Sequence, residues 1–363
     1  MRLIVTGGGT GGHLFPAIAV AGGVRQQDPA GEILFIGTGR QIDTRVLAGL
    51  GFGRETISFS GVKGLGLSGA LRSAFRLPQA LYAAAKIIRR FRPDLVFAVG
   101  GYVTGPVLLA AKLFRVPICI HEQNSVPGLA NRLAGKIADR VCISLPCKPP
   151  FAENKTVLTG NPVREEILAV AGEKTVSENK KRTLLILGGS QGAHRVNAVM
   201  LEAAAVLQEQ GEKVQIIHQT GRSDEEMVRQ GYKQMGIQAE VADFFTDMAR
   251  LYIRADLVVS RAGATTLAEL AVMGLPALLI PYPFAADDHQ TTNADYYLQA
   301  GGAVVFPESE LNGDRLSREI ADLVRDRRRL QVMAEGMQSL ARPGATRKIV
   351  DICRQLAGRK QTQ

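Results

Sequence analysis

Three short stretches of this 363-residue chain hold the residue types that handle anions. The first is TGGGTGGH, residues 6–13, which places five glycines and then His13 directly after the apolar run RLIVT. Glycine is entropically costly to fix, so a run of it is kept where backbone must approach something closely or φ must be positive. From Leu14 the chain reads as a helix, so the glycines form a strand-to-helix turn with backbone N–H groups directed outward. Such a helix start receives phosphate or another anion; the plainer reading is a tight turn holding nothing. Imidazole titrates near neutral pH, which makes His13 a candidate base, with a local hydrogen bond at the helix start as its other role.

The second stretch, GGSQGAH at 188–194, repeats the pattern one residue longer, again between an apolar run and a helix. The third, SRAGATTLAEL at 260–270, opens a helix with Gly263, Ala264, Thr265 and Thr266, whose N–H groups and hydroxyls suit a diphosphate. A favourable charge at such a terminus gains on the order of 0.3–1 kcal/mol from the helix dipole. Glu269, one turn further in, either accepts from ribose hydroxyls or is a solvated helix residue. In FAADDHQTTNADYY, 284–297, Asp287 or Asp288 reads as a helix cap, while His289 and Gln290 stand together at the same helix start.

These turns need strands behind them and helices after them. The runs RLIVT, EILFIG, DLVFAVG, VPICIHE, RVCIS, TLLILGG, KVQIIHQ, DLVVSRA, LPALLIPY and GAVVF read as strands, mostly separated by helical periodicity. Continuously apolar strands imply parallel sheets covered on both faces. Length and the echoed glycine turn together predict two Rossmann-like domains with a break at TGNPVREE, 159–166, where Asn161-Pro162 interrupts regular structure. GEKTVSENKKR, 172–182, reads as a polar surface loop. Ligands of such sheets sit at the carboxyl ends of the strands, so both glycine turns are expected to face one cleft.

The ligand class narrows by elimination. A P-loop needs Gly-Lys-Ser/Thr after the glycines, and TGGGTGGHLF has no lysine. A dinucleotide site wants an acid after the second strand, where this chain has Gly37-Thr38-Gly39. That counts against NAD in the first domain without excluding it, and the remaining class is a nucleotide-sugar enzyme, in which nucleotide and acceptor are held by different domains.

Net charge is +10, and all the excess lies in the first half: residues 1–162 hold 19 Lys and Arg against 8 Asp and Glu, the remainder 25 against 26. That asymmetry points to nucleic acid or an anionic membrane surface. The absence of Trp and the low aromatic content argue against single-stranded nucleic acid, where bases stack on rings. Within 61–92, Leu65, Leu67, Leu71, Phe75 and Leu77 mix with Arg72, Arg76, Lys86, Arg89, Arg90 and Arg92, the composition of a peripheral lipid-binding patch or of a buried helix with a basic edge. Cys119, Cys142, Cys147 and Cys353 are few and irregularly spaced, fitting buried hydrophobes in a reducing cytoplasm rather than a disulfide framework or metal cluster. No leader and no segment apolar enough to span a bilayer is expected.

Seven stretches in order carry a family resemblance: GGGTGGHLFPAIAVA, VGGYVTGP, HEQNSVPGLANR, GNPVR, GGSQGAHRVN, SRAGATTLAEL and DDHQTTNA. Together they resemble the MurG family of bacterial peptidoglycan glycosyltransferases, over residues 1 to about 350. The resemblance implies the α/β GT-B fold: two Rossmann-like domains with parallel sheets facing a deep inter-domain cleft, here residues 1–161 and 162–342, with a C-terminal helix near 343–358 returning to the first. It implies inverting transfer of N-acetylglucosamine from UDP-GlcNAc to the C4 hydroxyl of the muramyl sugar of lipid I, giving lipid II, at the cytoplasmic face of the membrane as a peripheral protein.

Carried over position by position, the family places Ser190 and the helix of Ala264, Thr265, Thr266, Leu267 and Ala268 at the donor diphosphate. Glu269 takes the ribose, the backbone of Phe245 the uracil, and Arg164 and Gln290 the phosphates or sugar. Thr10, Gly11, Gly12 and Asn124 reach the donor sugar. His13 is the first choice for base and Glu122 the second. The resemblance implies no cofactor and no protein metal ligand, an anionic membrane surface as a partner, no nucleic acid, and room for other wall-synthesis proteins. A UDP-sugar epimerase, an NAD-dependent oxidoreductase and a non-catalytic nucleotide-sugar binder are the rival readings.

Overall fold

The computed structural model describes residues 1–8, 11–39, 47–59, 66–173, 181–189 and 192–361. Thr10, Ser190 and Leu65 of the sequence reading lie outside them, and the side chains of residues 66–75, Leu67, Leu71, Arg72 and Phe75 included, are likewise not described. The chain divides into two compact units, Met1–Arg164 with Pro343–Gln363, and Glu165–Arg342; the first division falls inside TGNPVREE.

The first unit holds seven parallel strands: β1 (Arg2–Thr6), β2 (Glu32–Gly37), β3 (Gly53–Thr56), β4 (Leu95–Ala98), β5 (Ile118–Glu122), β6 (Arg140–Ile143) and β7 (Thr156–Leu158). Their order is β3-β2-β1-β4-β5-β6-β7. One sheet face carries Leu3, Val5, Phe35, Phe97 and Cys142 against helices Gly11–Gln27 and Ala345–Gln361, the latter contributing Ile349, Val350 and Cys353. Gly23 makes that close approach possible, since a Cβ there would lie 3.0 Å from the Thr346 methyl. The other face carries Ile4, Ile36, Val96, Ile120 and Val141 against helices Gly66–Phe91, Thr104–Leu113 and Leu129–Ile137.

The second unit holds six parallel strands: β8 (Arg182–Leu187), β9 (Val214–Gln219), β10 (Ala239–Ala242), β11 (Leu257–Ser260), β12 (Ala277–Leu279) and β13 (Ala303–Val305). Their order is β10-β9-β8-β11-β12-β13. Its core joins β8, β9 and β11 to helices His194–Glu209 and Gly313–Arg325 through Leu184, Ile186, Val196, Met200, Leu257, Leu316 and Ile320.

The ten apolar runs read from the sequence are all strands. β3, β7 and β10 are the three that the pattern did not single out. Each is an edge strand of three or four residues with part-exposed side chains, such as GRET in β3, so no apolar run marks it.

Strand order fixes where chemistry sits. It reverses between β1 and β4 in the first sheet and between β8 and β11 in the second. A crevice opens at the carboxyl ends of the strands flanking such a switch point. TGGG follows β1 and VGGY follows β4; GGSQG follows β8 and SRAG follows β11.

Candidate functional site

In the first unit the turns after β1, β4 and β5 meet at His13. Gly7 has φ +130°, and a Cβ there would come within 2.5 Å of the Gly100 carbonyl oxygen, so only glycine lets the turns after β1 and β4 meet. The helix then begins with Gly11, Gly12 and His13. The His13 ring packs over Gly100, and its Nδ1 lies 3.0 Å from Gln123 Oε1. Arg164 stacks its guanidinium 5.1 Å from the ring centre of Phe15, next to His13 at the same helix start.

Strand alternation at the end of β5 sends His121 and Gln123 to one side and Glu122 and Asn124 to the other. Glu122 is buried and its carboxylate accepts four hydrogen bonds: from Asn124 N at 2.9 Å, Asn124 Nδ2 at 3.3 Å, Gly128 N at 3.3 Å and Asn131 Nδ2 at 2.8 Å. It therefore fastens the loop 123–128 to helix Leu129–Ile137. His121 is fully buried, which pushes its imidazole down to about 4 against an ordinary 6.5. Its Nε2 lies 3.2 Å from the Gly160 carbonyl and 3.2 Å from Ser144 Oγ.

In the second unit Gly263 precedes helix Ala264–Met273 with no side-chain cap. A helix start receives anions, and Ala264–Thr266 forms this one at the carboxyl end of β11. Leu267 N–H already bonds the Gly263 carbonyl at 3.0 Å, and the Leu267 side chain lies wholly in the core. Glu269 is buried and accepts from the Tyr252 hydroxyl at 2.8 Å.

Gln290 ties two loops together: its Oε1 accepts from Ala262 N at 3.2 Å and from Tyr282 N at 2.9 Å. Phe245 is half-buried, and its N–H donates to Gln219 Oε1 at 3.0 Å. Asp288 stands before helix His289–Gln299 in a left-handed conformation and takes the Thr291 hydroxyl at 2.7 Å instead of a backbone N–H, so its side chain does not make the cap. His289 turns back on its own loop through the Ala286 carbonyl at 2.7 Å.

Sequence reasoning passed over His121, Gln123, Asn131, Gln219 and Tyr252, which hold the candidate residues in place. HEQN carried the signal for the first two: polar residues at alternate positions of a strand end that is otherwise apolar must find partners inside. Among the described residues no three His, Cys, Asp or Glu side chains gather as a metal site, no helix is long and apolar enough to cross a membrane, and all four cysteines are buried and unbridged.

Family models match both units: the glycosyltransferase family 28 N-terminal domain over residues 3–143 and the glycosyltransferase family 28 C-terminal domain over residues 183–349. The chain belongs to glycosyltransferase family 28. Within family 28 it is 48% identical over 363 residues to a protein of Desulfotalea psychrophila named UDP-N-acetylglucosamine–N-acetylmuramyl-(pentapeptide) pyrophosphoryl-undecaprenol N-acetylglucosamine transferase, covering 99% of this chain and 98% of the relative. A protein of Geobacter sulfurreducens with the same name is 46% identical, with 97% of each covered. Among solved structures, MurG of Acinetobacter baumannii superposes with a TM-score of 0.80 at 31% identity, over 98% of this chain and 99% of that one. The two α/β units with parallel sheets agree with the fold expected of family 28.

Proposed function

We propose that this chain transfers N-acetylglucosamine from UDP-GlcNAc to the C4 hydroxyl of the muramyl sugar of lipid I, forming lipid II with inversion at the anomeric carbon. The observation that carries the reading is the end-to-end identity of 48% with a relative named for this transfer. The site geometry supports it with a chemistry. His13, at a helix start among close-packed glycine turns, takes the proton of the attacking hydroxyl. General-base help of this kind is worth about 10²–10⁴-fold. Glu122, already holding four donors, serves as the clamp that shapes the loop bearing Asn124.

The leaving UDP gathers negative charge, and preorganised N–H groups answer it best. In this reading Ala264, Thr265 and Thr266 meet the diphosphate together with Ser190. Leu267 and Ala268 contribute the helix backbone behind them. Glu269, braced by Tyr252, takes the ribose. Gln290 brings its amide N–H₂ to the phosphate or sugar oxygens, and Arg164 adds a fixed positive charge. Phe245 faces uracil through its backbone; Thr10, Gly11, Gly12 and Asn124 approach the transferred sugar.

A polyprenyl-linked acceptor requires work at a membrane, here as a peripheral protein on the cytoplasmic face. The three helices on one sheet face of the first unit support this. They and their ends expose Leu77, Tyr82, Leu109, Leu113, Phe114, Leu129 and Leu133 beside Arg76, Lys86, Lys112, Arg115 and Lys136. Each basic residue near an anionic surface is worth roughly 1 kcal/mol.

The test is incubation of the protein with UDP-GlcNAc and a short-chain lipid I analogue, with the product analysed by NMR. A β-linked disaccharide-lipid is expected. A C2-epimerised sugar nucleotide, or an unaltered acceptor, would overturn the reading.

A further inference from the structure

Three side chains in the first unit, His13, Gln123 and His121, form one continuous chain of hydrogen bonds, and three backbone carbonyls decide which way every proton in it points. Gln123 Nε2 lies 3.2 Å from the Val99 carbonyl oxygen and 3.4 Å from that of His121. A carbonyl oxygen can only accept. The amide nitrogen of Gln123 must therefore face them, because a turned amide would set its oxygen against two others. The same nitrogen lies 3.2 Å from His121 Nδ1. At the far end His121 Nε2 lies 3.2 Å from the Gly160 carbonyl oxygen, which again only accepts, and 3.2 Å from Ser144 Oγ, which can accept as well; Nε2 therefore carries the His121 proton and Nδ1, facing the Gln123 amide nitrogen, is bare. Gln123 donates to that bare nitrogen. Its oxygen is then left for His13, and His13 Nδ1, 3.0 Å away, has to be the donor.

We infer that Gln123 and His121 are positioning residues that lock His13 in the Nδ1–H tautomer, so that Nε2 is its basic nitrogen. The inference rests on the reading of His13 as the base and deepens it. An imidazole takes up a proton only at its bare nitrogen, and which nitrogen is bare is set by what the other one bonds. Without the relay the two tautomers interchange, and part of the population turns a non-basic N–H to the substrate. Burial works in the same direction. Gly160, Ser144 and Gln123 bond the His121 ring, and burial together with the neighbouring His13 disfavours its protonated form, so it stays neutral and the relay keeps its direction at neutral pH. A protonated His121 would donate from Nδ1, turn the Gln123 amide round and reverse the tautomer of His13.

The full-length protein labelled with ¹⁵N-histidine tests this by long-range ¹H–¹⁵N correlation in mildly alkaline buffer, the five histidines assigned by single substitution. His13 is expected to show Nδ1 protonated and Nε2 bare, and His121 the opposite. In Gln123→Met the His13 signals should become a mixture of tautomers, and kcat should fall about tenfold or more while KM for UDP-GlcNAc holds. Gln123→Glu, whose carboxyl oxygen can accept from His13 Nδ1–H in the same place, should keep the Nδ1–H form and a larger share of kcat. An Nε2–H tautomer of His13 in the unaltered protein, or a Gln123→Met protein with unchanged tautomer and kcat, overturns the relay. Correct tautomers together with full turnover by His13→Asn would leave the relay standing and remove His13 as the base.

Discussion

At the scale of single residues, the carboxylates and imidazoles of this chain divide into those that face out and those that hold others. His13 is half-buried and its Nδ1 is bonded to Gln123, so His13→Asn should lower kcat by about 10²–10⁴-fold with KM for the donor little changed, measured by initial rates. Glu122 is the opposite case. Glu122→Ala leaves the Asn124 and Gly128 N–H groups and the Asn131 amide without their acceptor, and an unsatisfied buried group costs about 1–3 kcal/mol, so thermal unfolding should drop even where activity is not assayed. His121 adds a pH dependence. Its folded value of about 4 lies below the ordinary 6.5, so the unfolded chain binds more protons between the two. Stability is complete above about 6.5 and is lost as pH falls toward 4, by roughly 3 kcal/mol. Denaturant titrations across that window should show the slope, and His121→Asn should flatten it. The residues themselves pointed to His13 and Glu269, conspicuous beside glycine turns, whereas Glu122 came from the family resemblance. Neither pointed to Gln123 or Tyr252, because a residue that acts by bonding another has no signature until the fold supplies its partner.

At the scale of elements, glycine turns and switch points explain each other. A parallel sheet whose order reverses leaves a gap beyond the strand ends, and the chain lines that gap with turns that have no side chains to fill it. Gly7→Ala should therefore hurt twice, through a disfavoured positive φ and through a Cβ driven against the Gly100 carbonyl. A loss on the order of 1–3 kcal/mol is expected from the backbone alone, read from the urea midpoint. The central strands were legible as apolar runs because both their faces are buried. β3, β7 and β10 were not: each is a short edge strand with part-exposed side chains and no long apolar run, whereas β13, also at an edge, keeps the run GAVVF. The helix caps also escaped pattern reasoning: Asp288 sits where a cap belongs, yet its carboxylate goes to Thr291.

For the whole molecule, the excess positive charge falls in the first half of the chain, where three helices also expose apolar side chains. Co-sedimentation with vesicles should rise with anionic lipid and fall with salt, and Leu113→Glu or Phe114→Glu should weaken binding without changing the thermal midpoint, as both side chains are exposed. The most direct measurement of the central claim follows one label. With UDP-[¹⁴C]GlcNAc and lipid I analogue in a single turnover, the account predicts one labelled disaccharide-lipid for each UDP released, and almost none of either on that timescale from His13→Asn. UDP released without label entering the lipid would contradict it.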